Sequence, residues 1–356
     1  MIRTPPSTIA SIYKYSHILS TPIIFAHSQH QFLAARLARS SVHYFTSKSI
    51  KPTTPIRNMA TISSAIPISL EKTDAVYQKD GTLITHETTL SSLTPLSSFP
   101  EDVRGLFKAV SGGEKGEAEP WVVTVASTIF HAQGGGQPSD TGVIRLLKGE
   151  DGGNNDEGFT VHQVRKLPST STILHLVTPL SSSSTSSPNF LQTAKLHQSI
   201  DAEKRTLHSR LHTAGHALGL AISMLSQSGT LPSDLQDGKA SHYPSTAFVE
   251  FTATAGGLIM SSHKDAIQAK VDELVAADYP VGIEVLSRAE AGARCIGGVD
   301  GADVGEEEGV RVVDLGGLGC YACGGTHVGK LGEIGRVVVR NIKRQKGVSK
   351  VGYDVV

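Results

Sequence analysis

The chain has 356 residues, 39% of them apolar and 19% charged, which is enough for a packed core and argues against global disorder. Lys+Arg and Asp+Glu both number 33, but residues 1–70 hold seven of the bases and no acid, leaving 26 basic against 33 acidic side chains in the remainder, so a non-specific polycationic coat for nucleic acid is excluded. No window of about 18 uninterrupted apolar residues exists, which excludes a helical membrane span, and three cysteines (Cys295, Cys320, Cys323) are too few for a disulfide framework.

Residues 1–58 read as an address. They are rich in Ser, Thr and Arg, lack acids and hold apolar clusters such as Phe32–Leu37, the composition of a mitochondrial transit peptide. A disordered tail is the plain alternative. Met59 is a second candidate start, so a chain from Met59 is expected in the cytoplasm and one from Met1 in a mitochondrial form. From 70 to 180 the pattern is that of strands: Trp121–Ala126 and Thr141–Leu147 are short β-branched runs set between glycine-rich turns. Residues 181–188 are serine-rich and polar, a linker by composition. Beyond it Leu196, Ile200, Leu207, Leu211, Leu218 and Leu225 recur near the helical period, which predicts one long amphipathic helix or two over 195–227. Ala247–Phe251 alternates as a strand, Lys264–Ala277 returns to helical spacing, and 335–340 and 348–356 close the chain as strands. The expected architecture is α+β: a small β-rich, barrel-like domain at 70–180, then the linker, then an α+β domain at 189–356.

Two stretches carry metal chemistry. His212 and His216 stand four residues apart on the predicted helix, so both imidazoles project from one face. Cys323-Gly-Gly-Thr-His327 offers a thiolate and a further imidazole, and such a nitrogen- and sulfur-rich set suits Zn²⁺. Spacing alone leaves the helix pair open, because His208 lies four residues before His212. Cys320 forms a CxxC with Cys323 but has no second CxxC to complete a four-cysteine site, and a buried apolar role accounts for it equally.

These residues resemble a known family. Arg210–Leu218 (RLHTAGHAL), Ala322–Val328 (ACGGTHV) and Gly134–Gly142 (GGGQPSDTG) are similar, in the same order, to the signatures of alanyl-tRNA editing domains. A chain of this length has no room for an aminoacylation domain as well, so the resemblance is to the free-standing AlaX editing proteins of the longer type. It implies a zinc site of His212, His216, Cys323 and His327, with Gln137 reaching that site to orient water or substrate and acting with His212 and His216 in catalysis. It also implies hydrolysis of the ester joining serine, and sometimes glycine, to alanine tRNA.

Further expectations follow from that reading. A site that accepts serine and refuses the smaller alanine needs a partner for the serine hydroxyl. Ser241 matches a threonine that some family members use so, and Thr213 and Thr326 are its rivals; Thr213 could equally bond back to its own helical turn. Arg340, Lys343, Arg344 and Lys346, in the basic C-terminal stretch, are the candidates for tRNA phosphates, or else a solvated hairpin face. Two other readings remain: the editing module of threonyl-tRNA synthetase, and a zinc-stabilised RNA-binding protein without catalysis.

Overall fold

The computed structural model describes residues 70–108, 119–147, 157–180, 193–253, 257–299 and 309–356, all within one compact unit, 61–356. The expected address (1–58) and serine-rich linker (181–188) lie outside the described residues.

Six antiparallel strands close a barrel in the order Thr85–Pro95, Trp121–Val125, Ile173–Pro179, Gly158–Lys166, Gly142–Leu146 and Lys195–Ile200. Leu90, Leu93, Val123, Val125, Ile144, Phe159 and Leu196 fill its interior; Val123 and Val125 follow the period of two, and a register shift between Leu90 and Ser92 lets Leu90 and Leu93 face the same way. Closure leaves no free edge along the ring. The last barrel strand overturns part of the sequence expectation: residues 195–200 are strand, and the helix begins only at Ala202. Leu196 and Ile200, four apart, satisfy both periods. The residue that would have shown alternation is the polar Gln198, buried because its Oε1 accepts the Ile129 N–H at 3.0 Å.

The helix Ala202–Gln227 starts directly after the barrel. Asp201 caps it, its carboxylate accepting the Lys204 N–H at 3.1 Å, a contact worth about 1 kcal/mol. Its apolar face (Leu211, Leu218, Ile222 and Leu225) packs with the helix Lys264–Ala276 on a four-stranded antiparallel sheet. That sheet runs Val337–Gln345, Val348–Val355, Phe248–Ala253, Leu235–Ser241. Burying each of these side chains contributes ~1.5–3 kcal/mol. A separate three-stranded sheet, Val281–Leu286, Val310–Leu315 and Cys320–Ala322, ends immediately before Cys323. The body is thus β-rich, with a closed barrel and a few helices, in keeping with the α+β expectation. Among the described residues no helix is long and apolar enough to cross a membrane.

Candidate metal centre and cavity

The helix brings His212 and His216 onto one side, stacked with ring centroids 4.9 Å apart. The segment after Cys320–Ala322 brings Cys323 and His327 to meet them. One donor atom from each of the four residues lies within 4.8 Å of the others. His208, one turn earlier on the helix, is outside this group, so of the two overlapping pairs the fold assembles His212/His216.

Hydrogen bonds turn the rings. His212 Nδ1–H donates to Gln137 Oε1 at 2.7 Å, and His327 Nδ1–H donates to Thr213 Oγ1 at 3.1 Å. Each bond fixes a tautomer, leaving the Nε2 lone pairs facing Cys323 Sγ, 3.4 Å away in both cases. His216 Nε2 is buried and has no hydrogen-bond partner among the described residues. Donors at zinc's bond lengths of about 2.0–2.3 Å stand about 3.3–3.8 Å apart around a tetrahedron, a range that the two spacings to Cys323 Sγ meet. An orphaned buried nitrogen beside three convergent donors is what a metal would satisfy. Burial, then the neighbouring imidazoles, hold His212 and His327 well below the usual histidine range; burial above all takes His216 down to about 3, so all three are neutral donors. Burial pushes the Cys323 thiol up, opposed by the Gly325 N–H on its sulfur and by the Arg311 guanidinium.

Gln137 sits in the Gly134–Asp140 turn of the barrel region and is fully buried. Its Oε1 accepts from both His212 and the Thr326 N–H (3.1 Å), and its amide donates to Thr326 Oγ1 (2.8 Å). One side chain therefore clamps both halves of the cluster. With its carbonyl doubly occupied, Gln137 positions His212. The approach is tight enough that a Cβ on Gly325 would come within 2.3 Å of His212 Nδ1, which explains the glycine. The turn is anchored by Asp140, whose buried carboxylate pairs with Arg205 of the helix and accepts the His131 N–H at 2.6 Å.

The remaining sequence candidates divide. Thr213 bonds back to the Ser209 carbonyl (2.8 Å) and receives His327 and the Val328 N–H, so it supports a ligand. Thr326 is held by Gln137 and by Ser209 Oγ (2.8 Å). Ser241 fails to reach the site: its neighbours Ala240 and His242 line the cavity, and strand alternation turns Ser241 to the other side. Arg340 is spent internally, on the carbonyls of Ser245 and Ala247 and on Asp354 (3.2 Å), which removes it as a phosphate contact. Lys343, Arg344 and Lys346 are exposed on the C-terminal hairpin, Arg344 leaning on Met260. Cys320 packs against Cys295 (Sγ–Sγ 3.4 Å), away from the donor group, so it acts as a buried small residue.

A cavity of about 880 Å³ opens over His212, His216 and Cys323. Tyr77 and Gln133–Gly135 from the barrel side line it, with Asp237, His242 and Tyr321 opposite. Burial pushes the Asp237 carboxyl up to about 6. The sequence reading missed Asp237, His242 and Tyr321 as site residues. Each is a single polar residue without a partner motif, and no spacing signals it.

Residues 310–351, which include Cys323 and His327, match the family described as the threonyl and alanyl tRNA synthetase second additional domain. The chain is 33% identical over 257 residues to an alanine–tRNA ligase of Nocardioides sp., covering 71% of this chain and 25% of that one. It is 28% identical over 225 residues to the alanyl-tRNA editing protein AlaX-M of Methanosarcina acetivorans, covering 63% of this chain and 84% of the relative. The chain thus spans only about a quarter of the ligases it matches but most of the editing protein. By these similarities the chain is AlaX-like and related to the editing region of alanyl-tRNA synthetase.

Proposed function

We propose that the protein is a zinc-dependent deacylase that hydrolyses the ester between alanine tRNA and a wrong amino acid, chiefly serine and also glycine. The observation that carries this reading is the convergence of His212, His216, Cys323 and His327, the first three of which line a cavity of about 880 Å³, large enough for an aminoacyl-adenosine end. An aminoacyl ester is already labile, so positioning and carbonyl polarisation supply most of what the reaction needs. Zn²⁺, when bound, would supply positive charge and Lewis acidity toward the ester or water.

The chain's own residues do the rest. Burial keeps the three imidazoles neutral and therefore able to donate lone pairs. Gln137 and Thr213 hold His212 and His327 in the tautomers that face inward. Lys343, Arg344 and Lys346 are placed to meet phosphates of the acceptor stem, a shape-directed contact that carries no base readout. The two alternatives are threonyl-type editing and an RNA-binding role without catalysis. The second draws support from the close setting of all four donors, which suits a closed structural site.

Release of serine from serine-charged alanine tRNA tests the reading. Chelation, or replacement of both His212 and His216 by alanine, is expected to slow it at least ~100-fold, with alanine-charged tRNA spared throughout. Normal rates in the double variant overturn the metal-dependent reading; absence of any deacylation by the metal-loaded protein favours the binding role.

A further inference from the structure

Refusal of alanine requires a hydroxyl partner inside the cavity, and the three candidates legible in the sequence do not supply it. Ser241 faces away, while the hydroxyls of Thr213 and Thr326 are engaged in holding the metal donors. His242 is different. It lines the cavity yet is only 2% exposed, and four contacts hold it, one through its backbone and three through its ring. Its backbone N–H donates to the Gly136 carbonyl at 2.9 Å. Its imidazole stacks on His212 at 4.3 Å between centroids. It lies against Gly215 of the helix so closely that a Cβ there would come within 2.4 Å of Cε1. Its Nδ1 is 2.6 Å from Tyr353 Oη.

That last contact assigns the proton. The Tyr353 hydroxyl has one hydrogen and donates it to the Leu211 carbonyl at 2.9 Å, so it must accept from His242 Nδ1–H. Nε2 then carries the lone pair. The result is a rigid acceptor whose other nitrogen is already satisfied, beside the residues that hold the metal. We propose that His242, through Nε2, accepts the hydrogen bond of the seryl side-chain hydroxyl and thereby sets the preference for seryl over smaller aminoacyl esters. The proposal rests on the editing reading above and names the group that reads its substrate.

The test compares seryl- and glycyl-charged alanine tRNA, because glycine lacks the hydroxyl. In the zinc-loaded protein, His242→Phe keeps a ring of similar size but no acceptor. It should lower the ratio of kcat/KM for seryl over glycyl esters ~10-fold or more, with zinc content at the wild-type level. Tyr353→Phe leaves the imidazole in place but removes its tautomer lock, and should lower the same ratio ~3-fold; it keeps the proposal testable where His242→Phe folds poorly. An unchanged ratio in both variants, or equal loss on the two esters, overturns the role of His242 while leaving the editing reading intact. A wild-type protein inert on both esters overturns the two together.

Discussion

Histidines are buried both inside the barrel and at the cavity, and the contrast between these two sets separates structure from function. Inside the barrel, His175 is fully buried and fully satisfied: its Nδ1–H donates to the Val123 carbonyl at 3.0 Å and its Nε2 accepts from the Thr128 hydroxyl at 2.9 Å. At the cavity, His212 and His327 are each held through Nδ1 and turn the other nitrogen toward a common point, where His216 Nε2 has no hydrogen-bond partner among the described residues. Burial is common to both. A functional cluster is distinguished by convergent lone pairs left without protein donors.

The sharpest test of that contrast removes a donor. Cys323→Ala should cut bound metal from about one ion per chain to near none by elemental analysis, whereas His175→Phe should destabilise the barrel and leave metal content per folded chain unchanged. Equal metal loss in the two variants would erase the distinction. The next effect is in acid. His175 and His131 have pKa values lowered by burial to about 4, while the unfolded chain takes up those protons near 6.5. Between these values the unfolded state holds more protons, so stability is present above pH 6.5 and is lost as pH falls toward 4. Each ring contributes on the order of 3 kcal/mol to that loss. Urea unfolding at pH 7, 5.5 and 4.5 checks it, and a level midpoint would show that the barrel tolerates charged imidazoles. Smaller is the effect of Gln137→Ala, which leaves all four donors in place but frees the His212 ring. Metal affinity should fall about tenfold to hundredfold by competition with a chelator, accompanied by a lower urea midpoint at pH 7 because buried groups of His212 and Thr326 lose their partner. Unaltered affinity would mean that packing alone orients His212.

Much of this centre could be read from the chain before any fold was known, because its chemistry is written in local spacing: His212 and His216 one helical turn apart, Cys323 and His327 framing two glycines. The glycine-rich turn was legible as a partner of the site, but Gln137's task was not. An amide commits its oxygen only when another segment arrives, and here that segment is Thr326, 189 residues later. The misread strand Lys195–Ile200 has a similar origin, since Gln198 is polar in sequence and interior in fact. Arg340 looked like a phosphate contact because charge is visible in a sequence, whereas the carbonyls of Ser245 and Ala247 that occupy it are not. His242 had no signal at all; its meaning comes from Tyr353, 111 residues away.

The barrel's closing strand runs into the long helix through the single residue Asp201. With so short a joint, the rotational phase of the helix about its own axis is inherited from the ring of strands before it. One extra residue at that joint would advance the helix by about 100° and carry both imidazoles off the cavity wall. Barrel and metal centre are therefore geared to each other: natural variation in length can accumulate in loops elsewhere, but not at this junction.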